Sequence, residues 1–171
     1  RSNAIASKLL AERATFDLDA TMAALRLIRA LDPDHQTSDE HVDALIDVIE
    51  ITRNRDFDVV FAIADELAPN SYHAISQVAR FSVRFGADTS KQMLCIVERA
   101  VTLAPSPAER DRMKIVLCEA LRETGARRRC FKVADELLAS THLHASDRAR
   151  VFRFRASTRP RNQPQQALDD L

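Results

Sequence analysis

Tryptophan is absent from this chain, tyrosine occurs once and glycine only twice in 171 residues. Two glycines cannot build a phosphate-cradling loop or a dinucleotide fingerprint, each of which needs several. The scarcity of large aromatics beside abundant Ala, Leu, Arg and Glu favours helix over sheet. The 3 cysteines, Cys95, Cys118 and Cys130, are an odd number without a C-x-x-C spacing. A disulfide framework or zinc knuckle is therefore not expected, and the residues read as small apolar groups buried on helices in a reducing compartment, hence the cytoplasm. No run of about 18 apolar residues is present, so no segment is expected to cross a membrane. Net charge is zero, with 25 acids and 25 bases.

What is present is repetition. Phe57–Asn70 (FDVVFAIADELAPN) is matched by Arg127–Ser140 (RRRCFKVADELLAS), aligning Phe61 with Phe131 and Ala64-Asp65-Glu66-Leu67 with Ala134-Asp135-Glu136-Leu137. Between them, Met93–Ser106 (MLCIVERAVTLAPS) sets Ala100, Leu103, Ala104 and Pro105 in the places of Ala64, Leu67, Ala68 and Pro69. Thr21–Asp34 adds Leu31 and Pro33 in the same frame. The anchor leucines Leu31, Leu67, Leu103 and Leu137 are 36, 36 and 34 residues apart, a period expected of stacked helix pairs.

Taken in order, Ser2-Asn3-Ala4 resembles the scar of a cleaved purification tag, with Arg1 outside that pattern. On this reading residues 1–4 are a tag remnant and the chain is part of a longer protein. A first helix is expected over about Asn3–Ala14 and a second, after Asp17, to Leu31, stopped by Asp32-Pro33. Ser38 or Asp39 caps a third to about Arg53, whose Val42, Leu45, Ile46 and Ile49 make one apolar stripe. Asp56 caps a helix through Phe57–Leu67. Ser71 opens the next, with Val78, Phe81, Ser82 and Phe85 on its stripe until Gly86. Asp88 or Thr89 opens another that ends at Pro105. Ser106-Pro107, with Glu109 and Asp111 in the first turn, opens a helix carrying Met113, Val116, Leu117 and Ala120 and ending at Gly125. One more runs to about Ala139, and a last covers about Ser146–Ala156. The expected fold is all-α: about four helix–turn–helix repeats plus a C-terminal helix in an α-α superhelix over residues 5–157. A Pro/Arg/Gln-rich tail or the start of a further repeat occupies 158–171.

In the second helix of each pair a bulky residue is followed by a small one three later and by proline after five more: Phe61, Ala64 and Pro69, then Val97, Ala100 and Pro105. Phe131 and Ala134 fit, with Ala139 in the proline place, and Leu25, Ile28 and Pro33 lack the small residue. This resembles the tetratricopeptide-repeat (TPR) family over roughly Ile5–Ala156, with degenerate motifs. In the first helices, where the family has a small residue, Ile46 and Leu117 stand, and Ser82 alone is small. The resemblance implies a scaffold whose first helices line a groove for a peptide or partner helix. The family's Lys/Asn carboxylate clamp cannot be laid on these residues.

Zero net charge hides segregation. Thr15–Glu66 holds 13 acids against 4 bases, and Pro107–Arg161 holds 14 bases against 7 acids. Such a dipolar chain can steer an acidic partner to its basic half, or join its acidic end to a neighbour's basic end. Arg127-Arg128-Arg129 sits at a helix start, where positive charge opposes the dipole. Spacing puts Arg150, Arg153 and Arg155 near one side of the last helix, interleaved with Val151, Phe152 and Phe154. Arg112, Arg150, Arg153 and Arg155 are the candidate partner-binding residues, for a protein or peptide of acidic character. Nucleic acid is disfavoured because no groove-reading motif accompanies the basic helix.

No catalytic, cofactor-binding or metal-ligating set is assigned. His142-x-His144 faces two sides of a helix without a third ligand. His35, His41 and His73 read as surface residues, and Asp65-Glu66 and Asp135-Glu136 repeat with the architecture as exposed faces. The functional expectation is a non-catalytic interaction scaffold. The alternatives are a module that self-assembles through its oppositely charged halves, or an auxiliary domain of a bacterial transferase, to which such repeats are often joined.

Overall fold

A computed structural model of the chain describes residues 18–32, 38–52, 57–86 and 90–158, and every element among them is helical. The helices are α1 (Leu18–Leu31), α2 (Asp39–Thr52), α3 (Phe57–Ala62), α4 (Tyr72–Phe85), α5 (Ser90–Leu103), α6 (Pro107–Glu123), α7 (Arg127–Ala139) and α8 (Ala145–Thr158). The helix expected over Asn3–Ala14, the cap at Asp56 and the tail beyond Thr158 lie outside the described residues. No described helix is long and apolar enough to cross a membrane. The chain divides into two compact units, with the boundary between Phe81 and Ser82 inside α4.

The helix ends follow local chemistry. Ser71 Oγ accepts from the Ala74 N–H at 3.2 Å, and Ser106 Oγ from the Glu109 N–H at 3.2 Å, with Pro107 at the first helical position. At the end of α6, Ala126 N–H bonds the Leu121 carbonyl at 2.8 Å and Gly125 N–H the Arg122 carbonyl at 3.1 Å. This double closure is a Schellman motif, and it needs the left-handed φ of 73° that Gly125 supplies.

The second helix of the best-matched pair departs from expectation. Instead of one α-helix through Leu67, α3 gives way after Ala62 to a π turn, Ile63–Leu67. Ala68 N–H closes it on the Ile63 carbonyl, five residues back, at 3.0 Å. Ala68 precedes Pro69, which clashes with a helical conformation there, and it adopts φ −141° and ψ 57°. The matching stretch in α7 has no proline and stays α-helical throughout.

In the first unit, Val42, Leu45 and Ile49 of α2, Val60 of α3 and Ile75 and Val78 of α4 are buried. Phe57 stacks obliquely near Phe81, ring centroids 6.1 Å apart, joining α3 to α4. A forked ion pair joins α1 to the π turn, Arg26 Nε to Glu66 Oε2 at 2.6 Å and Nη2 to Oε1 at 3.2 Å. In the second unit α6 packs against α5, α7 and α8. It therefore buries more than the expected stripe: Ile115, Cys118, Leu121 and Asp111 are buried with Met113, Leu117 and Ala120.

Two expectations need correction. Cys95 is exposed, because α5 buries the stripe Met93, Ile96, Val97 and Ala100 and leaves Cys95 on the other side. Cys118 and Cys130 are buried as expected. His73 is not a plain surface residue: it is half-buried, and Nε2 meets Asp43 Oδ1 at 2.8 Å.

Candidate functional site

Helix α8 holds the densest group of candidate residues. Its first turn is closed by the Arg148 N–H on the His144 carbonyl at 2.9 Å, with Asp147 favourably placed near the positive end of the dipole. Val151, Phe154 and Thr158 face inward and are buried. The outward side presents Ala149, Arg150, Phe152, Arg153 and Ala156, an apolar strip of small residues around one ring, with two guanidinium groups. Phe152 is 37% exposed.

The arginines of this helix divide between two roles. Arg155 does not share a side with Arg150 and Arg153, contrary to the spacing argument. Five residues on a helix turn through about 140° from a shared face, and Arg155 is half-buried against α7. Its Nε donates to Asp135 Oδ1 at 2.5 Å, and its guanidinium lies 5.5 Å from the Phe131 ring centre. Arg148 also turns back and donates to the carbonyls of Leu138 and Ser140. Arg150 is exposed but pairs with Glu119 of α6. Arg112 lies on α6, one turn from Glu109, to which its Nη1 donates at 2.6 Å. Arg153 is exposed and takes part in none of these pairs. Of the four candidates, Arg150 and Arg153 stand together on one face, and Arg112 and Arg155 stand elsewhere.

Sequence reasoning did not separate these roles, and it missed Phe152 as the exposed centre of the strip. The signal was available: Ala149, Phe152 and Ala156 recur at i, i+3, i+7, a helical stripe of its own. Phe154, two positions on, points to the core.

Other clusters bind helices to one another. Asp43 Oδ1 receives both His73 Nε2 and Gln77 Nε2, the latter at 3.3 Å, latching α2 to α4. Buried Asp111 accepts from Ser140 Oγ, whose own oxygen receives the His142 N–H at 3.2 Å. This tethers the start of α6 to the end of α7. Arg127 and Arg128 are exposed at the start of α7, and Arg129 is paired with Glu98 of α5 at 2.5 Å. Among the described residues no group of three or more His, Cys, Asp or Glu side chains could hold a metal ion.

Across the α6–α7 interface the Cys118 thiol donates to the Cys130 carbonyl at 3.9 Å and the Cys130 thiol to the Cys118 carbonyl at 3.3 Å. Cys130 is held below the ordinary thiol range, at about 7, chiefly by the hydrogen bond from Cys118, helped by Thr158 and the Arg122 charge. Cys118 is pushed well above that range by the same contact and by burial. Comparison of the chain with protein-family models, with curated proteins and with solved structures finds no match.

Proposed function

We propose that this chain is a non-catalytic protein-interaction scaffold, a TPR-like stack of helical hairpins whose basic end takes an acidic partner. The outward face of α8 carries this reading. A half-exposed phenyl ring between alanines, beside Arg153 and with Arg150 next to it paired to Glu119, is a surface suited to an apolar, negatively charged helix or peptide. The repeat part of the reading draws support from equivalent burial. Ala64, Ala100 and Ala134 are all fully buried, and Ala68 and Ala104 are each 6% exposed.

The test is a pull-down from nuclease-treated source lysate, comparing the native chain with Phe152→Ser and Arg153→Glu. Both positions are exposed, so the variants keep the native fold. A protein recovered by the native chain and lost by both variants supports the reading; equal recovery by all three rejects α8 as the docking face.

Head-to-tail self-assembly is a second reading, favoured by Leu27 and Leu31 of α1. They are 60% and 78% exposed and lie four residues apart, on one side of the helix, in the acidic half of the chain. Under this reading mass in light scattering rises with concentration, and Leu27→Asp abolishes the rise. A monomer at all concentrations removes it.

A further inference from the structure

Two thiols meet between α6 and α7. Cys118 Sγ lies 3.9 Å from the Cys130 carbonyl oxygen, and Cys130 Sγ lies 3.3 Å from the Cys118 carbonyl oxygen. The contact is reciprocal, so each side chain reaches the other residue's backbone. Buried Ala120 and Ala134 occupy the same helices within a turn, and small residues let the two backbones approach.

We propose that Cys118 and Cys130 are a redox dithiol that closes into a disulfide between α6 and α7 when the protein meets a peroxide. The two sulfurs have unequal roles. Cys130 stands in the first turns of α7, where the positive end of the helix dipole favours a thiolate, and the Arg122 guanidinium adds to it. Cys118, buried and far less acidic, is the resolving thiol. Cys130 thiolate attacks one peroxide oxygen, the O–O bond breaks, and hydroxide leaves, taking a proton to become water. The resulting sulfenic acid is attacked by the Cys118 sulfur. An S–S bond forms, the S–O bond breaks, and the Cys118 proton leaves with the hydroxyl as a second water. Two thiols are oxidised and one peroxide is reduced. Neither thiol is exposed, and Thr158, the last residue of α8, is the hydroxyl beside Cys130. Because both thiols are buried, oxidant reaches the sulfur only through local opening of this packing.

The experiment uses the full chain carrying Cys95→Ser, which removes the exposed thiol. It is treated with hydrogen peroxide, unfolded in an alkylating quench and mapped by mass spectrometry. The expected result is loss of two hydrogens, a peptide cross-linked through Cys118 and Cys130, reversal by dithiothreitol and a raised melting midpoint of the oxidised form. Cys118→Ala in the same background stops at an oxidised or alkylated Cys130 without the cross-link; its helical circular dichroism reports that it folds. Diamide, a dithiol oxidant that needs no sulfenic acid, separates a failure of peroxide access from a failure of geometry. Full alkylation of both cysteines after both oxidants overturns the proposal, as does a link that forms only in denaturant.

Discussion

Arg148 reaches from α8 to the end of α7 and donates Nη1–H to the Leu138 carbonyl at 2.8 Å, while its Nη2 holds the Ser140 carbonyl at 3.1 Å. Both oxygens belong to the helix end, where carbonyls lack an intrahelical donor and the dipole is negative. Arg148→Ala is expected to lower stability by about 1–2 kcal/mol, the cost of leaving charge-assisted bonds unmade in a half-buried place. Arg148→Lys recovers only part, because an ammonium cannot span two carbonyls as a planar fork does. Urea unfolding of both variants beside exposed Arg153→Ala, expected to change stability by less than about 0.5 kcal/mol, measures the difference.

Gly125 sits at φ 73°, and a Cβ placed on it meets nothing within 4 Å. Substitution there costs backbone strain alone, with no steric clash. Gly125→Ala is expected to destabilise by about 1–2 kcal/mol, and Gly125→Asn, which tolerates the left-handed region, by less. A thermal melt in which alanine and asparagine cost the same would contradict this account of the turn.

The helix boundaries were largely legible in the residues, because caps and breakers act within a few positions. Ser71, Ser106, Gly86 and Gly125 each do in the structure what their chemistry predicts. The π turn at Ile63–Leu67 was not legible: it differs from an α-helix by one hydrogen-bond step, and the same Ala-Asp-Glu-Leu letters are α-helical in α7. The site was half legible. Sequence located the basic helix, but whether an arginine is free depends on acids brought from elsewhere, such as Asp135 for Arg155 and Glu119 for Arg150. Those partners are 20 and 31 residues away in the chain, and no local pattern announces them.

If the three matched helix pairs are structural equivalents, their buried alanines should fail alike. Ala64, Ala100 and Ala134 have no exposed surface, so a larger side chain has to displace a neighbour. Ala64→Leu, Ala100→Leu and Ala134→Leu are each expected to cost about 1–3 kcal/mol by overpacking. Exposed Ala139→Leu is expected to cost almost nothing. A chemical-denaturation series with one tolerant site among the three would break the equivalence at that repeat.

The thiol pair predicts a maximum in stability with pH. Cys118, Glu119 and Arg122 face the pair from α6, Glu136 from α7 and Thr158 from α8. In the folded chain Cys130 loses its proton at about 7, whereas Cys118 keeps its own well beyond the ordinary range. In the unfolded chain both titrate near about 8.5. Between pH 7 and about 8.5 the unfolded state therefore binds more protons, and stability rises with pH. Above about 9 the unfolded chain has released both protons while the folded pair retains one, and stability falls. This contribution is lost as pH drops through 7, the sign expected of an acid whose folded pKa is depressed. Urea midpoints measured from pH 6 to 10 under reducing conditions are expected to peak between 8 and 9 for the native chain. The peak should flatten in Cys118→Ala/Cys130→Ala, which keeps every other titrating group; an unchanged profile in that variant assigns the curvature to other groups.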